Sequence, residues 1–137
     1  MNIDPRGPRF GAVITTVILA IVLVTGSGWL LLAQTVVFAV GALAGLRYAP
    51  YGIIYRALVR PRLGPPAELE AAAPPRFAQG VGMAFAAIGT VGYLAVSPVV
   101  GTVFTAFALA AAFLNAAFDL CLGCHMYLLI QRIRPAA

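Results

Sequence analysis

Hydrophobic and polar positions separate into long blocks along this chain. Four runs almost free of charge cover residues 10–26, 29–46, 77–96 and 99–118. Each approaches the roughly 20 residues a helix needs to cross a hydrocarbon core. Runs one and two are separated only by Thr25-Gly-Ser-Gly28, and runs three and four by Ser97-Pro98. Such tight, uncharged connections predict two helical hairpins. The pattern predicts an all-α membrane protein, a four-transmembrane-helix bundle of two repeated hairpins within one integral membrane domain spanning residues 1–137.

The polar blocks complete this picture. In the loop 47–76, Pro50 precedes a stretch whose helical spacing puts Tyr51, Tyr55, Leu58 and Val59 on one face and turns Arg56 and Arg60 toward another. That suits a short helix lying in the membrane interface. Residues 61–75, rich in proline and alanine, read as a linker without preferred structure. The closing segment 119–134 predicts a second interfacial helix.

Pro8-Arg9-Phe10 opens the first hairpin and Pro75-Arg76-Phe77 the second, and Ala49 to Arg62 overlays on Cys121 to Arg134, matching Tyr55 with Tyr127. The overlay sets Asp119 opposite Arg47, so spans two and four are expected side by side, with Asp119 paired to Arg47 or Arg76. If the helix breaks near Asp119, that residue is the expected N-cap of the segment carrying the cysteines. Gly41-Ala-Leu-Ala-Gly45, with Gly82, Ala86, Gly89 and Gly92, offers small faces for close helix packing.

Composition agrees with membrane embedding. The chain is 62% hydrophobic and only 9% charged, against about a quarter charged in globular domains. Its net charge of +5 comes without a single lysine. The nine arginines, Arg6 and Arg9, Arg47 to Arg76, and Arg132 with Arg134, fall at one end of the predicted bundle. By the positive-inside rule both termini and the middle loop are cytoplasmic, in a multi-pass protein of a plasma membrane. The scattered arginines form no groove-sized patch, so no nucleic-acid partner is expected. The first run lacks a small-residue cleavage site before a polar mature domain and reads as a retained helix.

Chemistry concentrates in Asp119-Leu-Cys121-Leu-Gly-Cys124-His125, which holds both cysteines and the one histidine. On a helix Cys121, Cys124 and His125 share a face. A thiol in a helix first turn is favoured as thiolate, and a second sulfur three residues on can resolve a mixed disulfide. Cys121 is the candidate attacking thiol, Cys124 the resolving thiol and His125 a modulator. The same string fits c-type haem attachment, but the predicted topology puts it on the wrong side and no second histidine exists. Zinc would lack a fourth ligand. No cofactor or metal is expected. Gln34 and Asn115 are polar within apolar runs, where such groups often have a role. No phosphate loop, carboxylate pair or serine triad is present.

The Pro-Arg-Phe starts, the Tyr51-Gly…Tyr55-Arg…Val59-Arg-Pro loop and the ending Asn115…Cys121-Leu-Gly-Cys124…Tyr127 together resemble a family of small actinobacterial four-helix membrane proteins labelled as a domain of unknown function. The likeness spans nearly the whole chain. It implies a role in thiol or sulfur traffic beside thioredoxin-like and sulfurtransferase proteins. Members often carry an acidic residue at the position of His125, which implies a dispensable histidine. The expectation is therefore a membrane dithiol exchanging electrons or sulfane sulfur with a soluble thioredoxin-like or rhodanese-like partner. The competing expectation is a non-enzymatic scaffold or accessory subunit. The bilayer is the other partner, and a homo-oligomer is compatible with either role.

Overall fold

The computed structural model describes residues 2–134. Its long helices are α1 (Arg6–Thr25), α2 (Gly28–Ala39), α5 (Ala73–Val91) and α6 (Pro98–Phe118). Each boundary has a local cause. Gly26 ends α1 at φ 67°, its N–H closing on the Val22 carbonyl at 2.7 Å, the left-handed cap for which glycine is suited. Ser27 then caps α2 by accepting the Leu30 N–H, and Ser97 caps α6 by accepting that of Val99. Pro98 occupies the first turn of α6, where its missing N–H costs nothing.

Three helices, Arg6–Thr25, Ala73–Val96 and Pro98–Phe118, are long and apolar enough to cross a membrane. The run expected over 29–46 is a shorter apolar helix, Gly28–Ala44. A π-helical turn over Val40–Ala44 leads into Gly45, whose φ of 116° breaks the helix, and a 3-10 turn comes next at Leu46–Tyr48. The first and third helices begin about a turn before the expected starts at 10 and 77.

The four helices pack with antiparallel neighbours: α1 on α6, α6 on α5, and α5 on α2. Along the α2–α5 contact, Leu31 lies against Gly89, Phe38 against Gly82 and Gln79 against Gly41. The core is Leu19, Val22, Leu31, Phe38, Ala86 and Ala108. Val17, Val36, Val103 and Phe107 stay exposed, as lipid-facing residues would.

This arrangement corrects the expected pairing of spans two and four. α2 packs on α5 and α6 on α1, so Arg47 and Asp119 form no ion pair. Both salt bridges among the described residues are made by Asp4. Arg47 stacks over the Tyr48 ring, and Arg76 donates to the Ala42 and Leu43 carbonyls at 2.7 and 3.0 Å. Asp119 is exposed and carries the only positive φ, 55°, of a described non-glycine residue. It ends α6 and does not act as the N-cap of the next helix.

The middle segment also departs from expectation. Helix α3 (Pro50–Ile54) passes through a π-helical turn at Tyr55–Val59 into α4 (Arg60–Leu63). In a regular helix the Pro61 ring would strike the carbonyl four residues back, and a wider turn relieves this. The wider turn also rotates the face. Tyr55 is fully buried, Leu58 is exposed, and Arg60 turns inward to within 3.9 Å of Asp4. The linker is not wholly irregular, because β2 (Glu70–Ala71) pairs antiparallel with β1 (Asn2–Ile3).

Candidate functional site

Helix α7 (Leu122–Ile133) begins at Cys121, which is its N-cap. The Cys121 backbone is extended, and its Sγ accepts the Cys124 N–H at 3.2 Å. This is the bond a capping serine makes, with sulfur in place of oxygen. It draws the two side chains together, and Cys121 and Cys124 are disulfide-bonded. Both cysteines are half-buried, and His125 is exposed. His125 is tied to the pair through its backbone, whose N–H donates to the Cys121 carbonyl at 3.0 Å. Its imidazole makes no hydrogen bond among the described residues, nor does any group of three His, Cys, Asp or Glu side chains there suit a metal.

Two contacts fix α7 against α5. A Cβ on Gly123 would fall 2.5 Å from Ala78 Cβ and 2.6 Å from its Cα, so only glycine permits this approach. Four residues on, the Tyr127 ring meets that of Phe77 at 5.6 Å. The outer face of α7, including Leu128, Leu129 and Ile133, is exposed and apolar, as suits a helix at a membrane surface. Cys121 in turn lines a cavity of about 280 Å³ that runs into the bundle among α1, α5 and α6. Phe85, Phe107 and Met126 contribute apolar walls, with Gln79 and Asn115 among them.

A second constellation is only partly legible in the sequence. Asp4, buried with 8% of its surface exposed, accepts from Arg6 at 2.9–3.3 Å and from the Tyr55 hydroxyl at 2.9 Å. Burial pushes its carboxyl up, but the hydrogen bonds from Arg6 and Tyr55 and the Arg6 charge outweigh this and hold it below the usual range. The same burial and the bond to Asp4 push the Tyr55 phenol up, so it remains a donor. Deeper, the Tyr51 hydroxyl donates to Gln34 Oε1 at 2.6 Å, and Gln34 Nε2 reaches Thr15 Oγ1 at 3.5 Å. Asp4, Tyr51 and Tyr55 border a cavity of about 500 Å³ that Arg47, Arg56 and Arg60 also line. The available signal was the Tyr51–Tyr55 spacing and the isolated Gln34. Asp4 gave none, because its partner Tyr55 lies about fifty residues away.

No curated protein and no solved structure matches the chain. A family model described as a domain of unknown function, DUF4395, matches residues 3–132. With nearly every described element inside the match, the chain belongs to the DUF4395 family.

Proposed function

We propose that this protein is a membrane-embedded dithiol–disulfide carrier that exchanges electrons with a soluble thioredoxin-like partner through Cys121 and Cys124. The observation that carries this reading is the bonded pair at the start of an exposed, surface-lying helix. In the reduced protein a Cys121 thiolate keeps the Cys124 N–H and the positive end of α7, which lower the cost of its charge. Cys124, in the first turn beside it, is placed to resolve a mixed disulfide. His125, exposed next to the pair, adjusts its charge environment.

The test is capture on membranes. A Cys124→Ser variant should trap a mixed disulfide on Cys121 with a thioredoxin-like protein, and Cys121→Ser should trap several-fold less. Equal trapping, or more on Cys124, would reverse the roles. No adduct with either variant, together with thiols indifferent to redox conditions, would leave a packing scaffold as the better account.

Four membrane passes as two repeated hairpins fit the contacts described. Ser27 and Ser97 cap corresponding helices. Phe10 meets Tyr55 as Phe77 meets Tyr127. Arg9 donates to the Ala116 carbonyl at the end of α6, and Arg76 to Ala42 at the end of Gly28–Ala44, so each hairpin caps the other. In this frame Ala49 and Cys121 are equivalent N-caps, and only the second half carries a cysteine pair. Every arginine then faces the cytoplasm. A reporter active only in the periplasm, fused after Ala137, should stay silent; strong activity there would overturn the orientation.

A further inference from the structure

We infer that the cavity behind Cys121 is a binding site for a lipid-soluble quinone, which takes the electrons that the cysteine pair collects. The inference rests on the dithiol reading above and names its membrane-side reactant. Three observations converge on that chemistry.

The first is position. Cys121 lines a cavity of about 280 Å³ whose other walls come largely from the apolar helices α1, α5 and α6. This is close to the lower bound for small-molecule pockets, about 300 Å³, and suits a single-ring head group. The second is lining. Phe85, Phe107 and Met126 provide flat, polarizable walls. Against them stand two amides, Gln79 and Asn115. Unlike Gln34, whose amide is held by Tyr51 and Thr15, neither makes a side-chain hydrogen bond among the described residues. An amide carries both donors and an acceptor. It can donate to the carbonyl oxygen of a quinone and accept from the hydroxyl of the hydroquinone, so one site serves both redox states. The third is contrast between the two cavities. The cavity beside Ala49 and Gly52, which occupy the positions equivalent to Cys121 and Cys124, is lined by Arg47, Arg56 and Arg60. No charged residue lines the cavity beside the redox pair.

The step balances. Two S–H bonds break and the Cys121–Cys124 bond forms, while two electrons and two protons pass to the quinone oxygens and give a hydroquinone. A partner dithiol then reduces the Cys121–Cys124 bond and resets the pair.

The experiment uses the full chain in lipid nanodiscs with ubiquinone-1 as probe. Oxidised protein should bind it at equilibrium. Asn115→Ala should weaken binding about fivefold, the effect of one lost hydrogen bond. Ala111→Phe, which fills a wall of the cavity, should weaken it more, and Val103→Phe, on the exposed surface, should leave it unchanged. Reduced protein, freed of reductant without oxygen, should form one hydroquinone per disulfide regained. Absence of saturable binding, or binding that ignores both cavity variants, overturns the site. If a thioredoxin-like partner still exchanges disulfides with the protein in that case, the carrier reading survives and the quinone alone is lost. Failure of both exchanges removes both.

Discussion

Gly92→Ala should destabilise the bundle by about 3 kcal/mol, the upper range for forcing extra volume into a packed contact. A Cβ at Gly92 would lie 2.6 Å from the Gly101 nitrogen and 3.1 Å from its Cα. These are backbone atoms, so no rotamer change relieves the overlap and α5 and α6 must move apart. Within a bilayer, helix association depends on such close packing more than on burial from water. Separation would also disturb the Tyr93 ring, which sits against Gly101 from the other side. Gly80→Ala is the matched control on the same helix. Its Cβ would meet only Ala42 Cβ at 3.9 Å, an ordinary contact. Each substitution gains at most about 1 kcal/mol of helix propensity, less at Gly92 because it opens the π-helical turn Gly92–Val96, so a difference near 3 kcal/mol reports mainly the steric clash. Unfolding in detergent micelles should leave Gly80→Ala at or above the wild type and Gly92→Ala well below it. Equal stabilities for the two variants would remove the argument that the Gly92–Gly101 approach sets the α5–α6 spacing.

Much of this fold was legible because membrane helices announce themselves by length and apolarity. The all-α class, the turns at Gly26 and Pro98, and the small faces at Gly41, Gly82 and Gly89 all arise from local residue types. What failed depended on distance along the chain. The overlay of the two halves suggested that Arg47 meets Asp119, but positions that match in sequence need not touch. Here Arg9 and Arg76 reach instead to backbone carbonyls at the ends of other helices, at Ala116 and Ala42. The face of the helical segment after Pro50 was misassigned at Leu58 and Arg60 because Pro61 favours a wider turn, which helical spacing at 100° per residue does not anticipate. The pairing of β1 with β2 joins two-residue stretches, Asn2-Ile3 and Glu70-Ala71, too short to show an alternating pattern. At the candidate site, spacing alone singled out Cys121 and Cys124. That Cys121 is itself the cap, rather than Asp119, could not be read, because either residue type can end or begin a helix.

Asp4→Ala should produce the largest loss outside the long apolar helices. Tyr55 is 1% exposed, and its hydroxyl has Asp4 as its partner. Removing the carboxylate leaves a buried donor unsatisfied, which costs about 1–3 kcal/mol. Arg6 and Arg60 are partly exposed and can turn to water, so their ion pairs add less. The N-terminal segment would loosen as well, since Arg6 also donates to the Gly64 carbonyl at 2.8 Å. Tyr55→Phe removes the donor together with the need for an acceptor. Combined with Asp4→Ala it should therefore cost less than the two single changes added, by about 1 kcal/mol. The pH dependence has a definite sign. Asp4 titrates lower in the folded protein than the ordinary value of about 3.9. Its contribution is complete above that ordinary value and is lost as pH falls through the lower folded value. Wild-type stability should thus hold down to about pH 4 and decline more steeply below it than that of Asp4→Asn, which has no carboxyl to protonate at this position. Unfolding midpoints in micelles between about pH 3 and pH 7 measure this directly. Parallel profiles for the two proteins would show that the carboxylate does not hold the N-terminal segment to Tyr55.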